Sequence, residues 1–216
     1  MTDFATRRRM MVDTQVRPSD VTKFPIIEAM LRIPREEFVP SDKREAAYAE
    51  RSIALADDRV VLDARTLAKM LDALNIDGDD LVLDIGCGMG YSSAVIARIA
   101  EAVVAVEEDE SLVPEAQSLF GEHADNVVLH EGPLTEGAAA HGPYDAIIIE
   151  GGVEKLPETL EAQLKDDGRI ACIFMDGALG TVRIGWKIDG VITWRFAFNG
   201  TAPVLPGFQK ETTFAF

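Results

Sequence analysis

Between residues 79 and 176 short apolar runs alternate with amphipathic ones. LVLDIG (81–86), AVVAVEED (102–109), NVVLHEG (126–132), YDAIIIEGG (144–152) and GRIACIFMDG (168–177) read as strands. Several are continuously apolar, as expected when helices cover both faces of a sheet. SSAVIARIA (92–100), SLVPEAQSLFG (111–121) and KLPETLEAQLK (155–165) read as the helices between them, with Pro114 in a first turn where proline is tolerated. This alternation predicts an α/β fold with a doubly wound, mostly parallel sheet. The tail TVRIGWKIDGVITWRFAF (181–198) is two alternating runs around Asp189-Gly190, which predicts an antiparallel hairpin at the sheet edge, with Trp186, Trp194 and Phe196 as packing residues.

Residues 1–78 read as a helical segment packed on that sheet, and 79–216 as the sheet domain, together one structural unit. Val21 to Leu31 places Phe24, Ile27, Met30 and Leu31 at helical spacing, with Ser19 or Asp20 as the expected cap and Pro25 near the start. Arg65 to Leu74 predicts a second helix with Leu67, Met70, Leu71 and Leu74 inward, followed by a turn at Asp77-Gly78-Asp79.

Composition narrows the partners. The 216 residues are 47% hydrophobic and carry a net charge of -16, a surface that repels phosphate backbones and argues against nucleic acid. No apolar run approaches a membrane span, and Arg7-Arg8-Arg9 precedes too few apolar residues for a signal peptide. Cys87 and Cys172 are expected to be free thiols of a cytoplasmic protein. His123, His130 and His141 have no metal-ligand spacing, so no metal is expected.

The chemistry concentrates in LVLDIGCGMGYS (81–92). Ligands of an open parallel sheet bind beyond the carboxyl ends of its strands. Gly86 and Gly88 let a ligand approach bare backbone there, and Gly90 opens the next helix. About twenty residues on, Glu107 ends the following strand, where an acid accepts both hydroxyls of a ribose; Glu108 and Asp109 are alternatives. The spacing is G-x-G-x-G, one residue short of a nicotinamide fingerprint. Asp84 at the loop mouth would repel a pyrophosphate and suits a cationic, phosphate-free nucleoside, which points to S-adenosylmethionine over NAD. Asp84, Gly86, Gly88 and Tyr91 are expected at the methionine end, with Cys87 as a small neighbour and Ser92 beside them. Leu134 is expected at the adenine, and Glu150 and Gly151 beside the transferred methyl. All of this requires a crevice not filled by the chain's own side chains.

The order of these features resembles the protein-L-isoaspartate (D-aspartate) O-methyltransferase family. AMLRIPREEFVP, AAYAERSIAL, LDIGCGMGYSSAVIARIA and PYDAIIIEGGVEKLPETLEAQLKDDGRI are similar, in order, to its AM…VPRE.FVP, AY.D.PLPIG, LEIGTGSGYQAAVLA and PFD.I.VTAA…IP..L..QL..GG.L segments. The resemblance implies a Rossmann-like class I fold and methyl transfer from S-adenosylmethionine to an abnormal aspartyl carboxylate of a protein or peptide; an altered or small-molecule acceptor is the alternative that this chain's departures from the pattern raise. Two segments depart from the pattern. The substrate loop YGQTISQP aligns with DDRVVLDA (57–64), so the hydroxyl-bearing position falls on Val60, and no catalytic residue is assigned. The adenine loop GDG becomes Gly132-Pro133-Leu134. Arg51 or Arg59 could hold a substrate carboxylate. The same departures motivate a different class of function, a non-catalytic binding module on the cofactor fold. Residues 200–216 match nothing in the family pattern.

Overall fold

The computed structural model describes residues 3–210. Helix α1 (Phe4–Met11) runs through a π turn (Val12–Val16) and a 3-10 turn (Arg17–Ser19) towards α2 (Phe24–Arg32). A short antiparallel pair, β1 (Ile53–Ala54) and β2 (Val60–Val61), precedes α3 (Ala64–Leu74). Then come β3 (Leu81–Ile85), α4 (Tyr91–Ile96), β4 (Ala102–Glu107), α5 (Val113–His123) and β5 (Val127–Glu131). The chain continues with β6 (Tyr144–Val153), α6 (Glu158–Gln163), β7 (Leu164–Asp176), β8 (Leu179–Ile188) and β9 (Val191–Asn199).

The main sheet has the order β5-β4-β3-β6-β7-β8-β9. It is parallel from β5 to β7, while β8 and β9 add antiparallel at the edge. This is the expected doubly wound sheet with its hairpin. Asp189 and Gly190 have φ of 51° and 77°, the left-handed pair that a tight hairpin turn needs. The strand order reverses between β3 and β6, so the carboxyl ends of these two strands flank the crevice where such sheets bind ligands.

Successive strand residues face opposite sides. Val82, Val103, Ala105, Ile148 and Ile173 pack under α2, α3 and α4 in one apolar cluster, which also contains Val12 and Phe38. Leu83, Ile85, Val106, Ile147 and Ile149 form the other, with Leu160, Leu205 and Phe208. Helix α3 is fixed at its start by Asp63, whose carboxylate accepts from the Thr66 N–H (2.9 Å). It buries Leu67, Met70, Leu71 and Leu74 as their spacing predicts.

Some local expectations fail for physical reasons. Helix α2 begins at Phe24 itself, with Pro25 in its first turn, so Phe24 points to solvent and Ile26, Ile27, Ala29 and Met30 form the buried face. Neither Ser19 nor Asp20 caps it: Asp20 closes the preceding 3-10 turn at φ 64°, and Lys23 precedes the helix. Lys23 is instead spent on α3, donating to the Asp72 carbonyl (2.6 Å) and to Asn75 Oδ1 (2.7 Å). At the edge hairpin Trp194 meets Phe174 edge-on (4.8 Å), but Phe196 is exposed. No helix among the described residues is long and apolar enough to cross a membrane.

After β9 the chain turns back as a strap over the carboxyl end of β6. The Gly152 N–H donates to the Pro203 carbonyl (2.7 Å), and the Leu205 N–H returns a bond to the Gly152 carbonyl (3.0 Å). The Phe208 carbonyl accepts from Glu154 and Lys155 (2.9 and 3.0 Å). Leu205 and Phe208 are fully buried.

Candidate cofactor cleft

The glycine loop follows β3 as expected. Gly86, Gly88 and Gly90 have φ of 77°, 58° and 93°, conformations that a side chain would strain. The loop is stitched to β4: the Gly86 and Cys87 N–H groups both donate to the Val106 carbonyl (2.9 and 3.2 Å). Gly90 caps α4 and lies against the Phe120 ring, which leaves no room for a Cβ.

Asp84 is fully buried at the end of β3. Its Oδ2 accepts from the Ser92 and Ser93 hydroxyls (2.7 and 2.5 Å), while its Oδ1 has no partner. Burial pushes its pKa up to about 6; the two serines oppose that rise, and the negative charge of Glu107 adds to it. Glu150, buried on neighbouring β6, also has an unpartnered oxygen, Oε1. Burial, then the charge of Asp84, raise it well above the ordinary carboxylate range, against the pull of Arg35. Cys87 is buried and free, its thiol pushed up by the same desolvation, consistent with a small packing residue rather than a nucleophile.

Glu107 ends β4 and is fully buried, with every side of its carboxylate engaged. Oε2 accepts from the Gly88 N–H (2.8 Å), and Oε1 accepts from the Glu108 and Asp109 N–H groups (2.9 and 3.0 Å). The remaining approach is taken by Arg59, whose Nε lies 3.0 and 3.2 Å from the two oxygens. The guanidinium is buried and continues outward: Nη1 donates to Asp58 Oδ1 (3.2 Å), and Nη2 to Glu108 Oε1 (3.2 Å). The expectation that Arg59 waits for a substrate carboxylate is corrected here, because all three of its nitrogens are held by this chain's own acids.

The crevice is not bare. Leu205 from the strap sits where a Cβ on Gly151 would touch it at 2.5 Å, and its methyl groups come within 3.3 Å of the corresponding point on Gly86. Leu55, just after β1, covers Gly88 so closely that a Cβ there would overlap it. Leu134 closes the same side against Gly86, and its N–H, expected to face adenine, donates to Glu108 Oε2 (3.1 Å). Cavities of about 640 and 680 Å³ lie elsewhere, and neither is lined by Gly86, Gly88, Glu107 or Gly151.

Tyr91 is a second correction. It points away from the cleft into the core, against Phe38 (5.8 Å) and under the Arg35 guanidinium (4.8 Å). Ser92 is spent on Asp84. Val60 lies in β2 opposite Ala54, with no hydroxyl near it in DDRVVLDA. The sequence reading missed Leu205. Its signal was available: two bulky apolar residues, Leu205 and Phe208, in a Pro- and Gly-containing tail beyond the edge strand, opposite a Gly-Gly strand end that needs an occupant.

The family model described as Protein-L-isoaspartate(D-aspartate) O-methyltransferase (PCMT) matches residues 7–176. The chain belongs to this family. Among curated PCMT relatives, the Protein-L-isoaspartate O-methyltransferase of Pelotomaculum thermopropionicum is 35% identical over 167 residues, 77% of this chain and 73% of that protein. A solved protein-L-isoaspartate O-methyltransferase superposes with a TM-score of 0.81 at 25% identity, over 93% of this chain and 66% of that one. A Plasmodium falciparum PCMT solved in complex with S-adenosyl-L-homocysteine superposes at 0.79 over 95% of this chain and 99% of its own, and at 16% identity it speaks for the fold. The expected family, the Rossmann-like class I fold and the family's S-adenosylmethionine dependence all stand. The strap lies beyond the residues that the PCMT family model matches.

Proposed function

We propose that this chain is an S-adenosylmethionine-dependent O-methyltransferase whose acceptor is a carboxylate of a protein or peptide. One observation carries the cofactor reading: Asp84 Oδ1 and Glu150 Oε1, two buried carboxylate oxygens beside a glycine loop at the switch point, have no partner. Buried acids left unpaired are costly, and a ligand ammonium is the group that would satisfy them. The donor set fits the family's cofactor, with Asp84 and Glu150 for the ammonium and Glu107 for the ribose. When bound, S-adenosylmethionine supplies a methyl group already activated by its sulfonium. The chain then has to align a carboxylate and exclude water, and such an acceptor needs no general base. Val60 and Leu62, in the loop expected to meet the acceptor, cannot donate hydrogen bonds. Acceptor choice is therefore altered from one that relies on a loop hydroxyl. A cytoplasmic location is part of the proposal, supported by two buried free thiols.

The test is incorporation of labelled methyl into an isoaspartyl peptide and into a panel of carboxylate-bearing peptides. The expected result is a base-labile ester on a panel member, with the isoaspartyl peptide the weaker substrate. Tight cofactor binding without an ester on any acceptor would favour the second reading, a non-catalytic module. The observation behind that reading is the cleft filled by Leu205 and Arg59.

A further inference from the structure

We propose that Leu205 of the strap and Arg59 form an internal plug in the cofactor cleft, which S-adenosyl ligands must displace in order to bind. This rests on the cofactor reading above. The plug occupies both ends of the cleft. Arg59 Nε takes the face of Glu107 that a ribose would need. Leu205 lies against the bare backbone of Gly86 and Gly151, the surface a ligand would use.

Several features make the plug movable. Arg59 is handed outward along a row of acids: Asp58 and Glu108, both partly exposed, already hold two of its nitrogens. Release of Glu107 therefore need not strand the guanidinium without an anion. Leu205 sits on a short tether between Pro203, whose carbonyl is bound to Gly152, and Phe208, whose carbonyl is bound to Glu154 and Lys155. Gly207 in that tether is at φ 78°. Leu205 shares the apolar cluster with Phe208, so its departure breaks two backbone bonds, its own N–H to the Gly152 carbonyl (3.0 Å) and the Phe208 N–H to its carbonyl (3.1 Å), while the Phe208 carbonyl keeps Glu154 and Lys155. With the plug in place, Asp84 Oδ1 and Glu150 Oε1 have no partner. A cleft closed for good gains nothing from two buried orphan oxygens, whereas a cleft that alternates between plug and cation needs them.

The consequence is competition. A ligand that binds only the unplugged state binds with an affinity reduced by the fraction of chains that are open. Anything that weakens the plug without touching the ligand's own donors must tighten binding. The experiment is calorimetric titration of the full chain with S-adenosylhomocysteine, for the wild type, Arg59→Met, Leu205→Ala and the double variant, each checked by thermal melting to be folded. The expected result is that each single variant binds at least about fivefold more tightly, and the double variant more tightly still. Amide exchange of the wild type gives a second reading that needs no variant. Ligand should speed exchange at the Leu205 and Gly152 N–H groups while slowing it at Gly88. Equal or weaker binding in the folded variants, with no faster exchange at Leu205, overturns the plug and leaves the cofactor reading intact. Absence of binding in the wild type and in the folded double variant overturns the cofactor reading and the plug with it.

Discussion

Replacing Glu107 with alanine is expected to lower the stability of the folded chain by about 3–5 kcal/mol, the range for breaking a buried ion pair from one side. The carboxylate does more than bind Arg59. It also accepts the Gly88, Glu108 and Asp109 N–H groups, which pin the glycine loop to the end of β4. Alanine leaves those donors and a buried guanidinium nitrogen unsatisfied together. Arg59→Met should cost clearly less, because Glu107 keeps its backbone donors and the methionine stem fills much of the same space. In the double variant Arg59→Met/Glu107→Ala the two losses should be non-additive, since both single variants remove the same Nε–carboxylate contact. Urea denaturation of the four proteins measures all of this. A Glu107→Ala cost under about 1 kcal/mol would mean that the pair is not formed in solution and that the cleft stands open.

That pair also shows where the sequence stops being readable. The strands from Leu81 to Ile85 and from Ala102 to Glu107 are visible because apolar runs are local, and the parallel order follows from their alternation with helices. Asp84, the glycines and Glu107 are visible because one strand–loop–helix–strand unit carries them at fixed spacing. Arg59 contacts Glu107 across 48 residues, and Leu205 reaches Gly151 from beyond the edge hairpin. No periodicity encodes either contact. Tyr91 failed for a different reason. It follows the glycine loop in sequence, but as the first residue of α4 it lies on the helix face turned to Phe38 and Arg35. Phe24 was misplaced because an apolar residue in the first turn, beside Pro25, need not share the stripe of the turns that follow. In the sequence the glycines read only as backbone that a ligand could approach; that Leu55 and Leu205 lie against them is a tertiary fact.

The second large effect is on pH. The native pKa of Asp84, about 6, lies above its ordinary 3.8, and Glu150 is shifted in the same direction. Between these limits the folded chain holds protons that the unfolded chain has lost, so folding takes up protons and stability falls as pH rises through roughly 4 to 6. Asp84 alone accounts for a loss on the order of 2–3 kcal/mol across that window. The lowered carboxylates, Asp3, Asp109 and Asp145, act in the opposite sense and below 3.8, outside the window. Chemical denaturation at pH 4.5 and 7.5 should therefore show a decline that Asp84→Asn reduces, with the remainder carried by Glu150, whose rise comes first from burial. Binding should run the other way. A ligand ammonium favours the ionised forms of Asp84 and Glu150, so binding of S-adenosylhomocysteine releases protons and tightens as pH rises, by up to about tenfold per unit for each proton released. Calorimetry in buffers of different ionisation enthalpy counts the protons directly. Binding with no proton release, and with an affinity flat from pH 5 to 7.5, would show that the ligand's cation does not meet Asp84 or Glu150, and that their orphan oxygens serve something else.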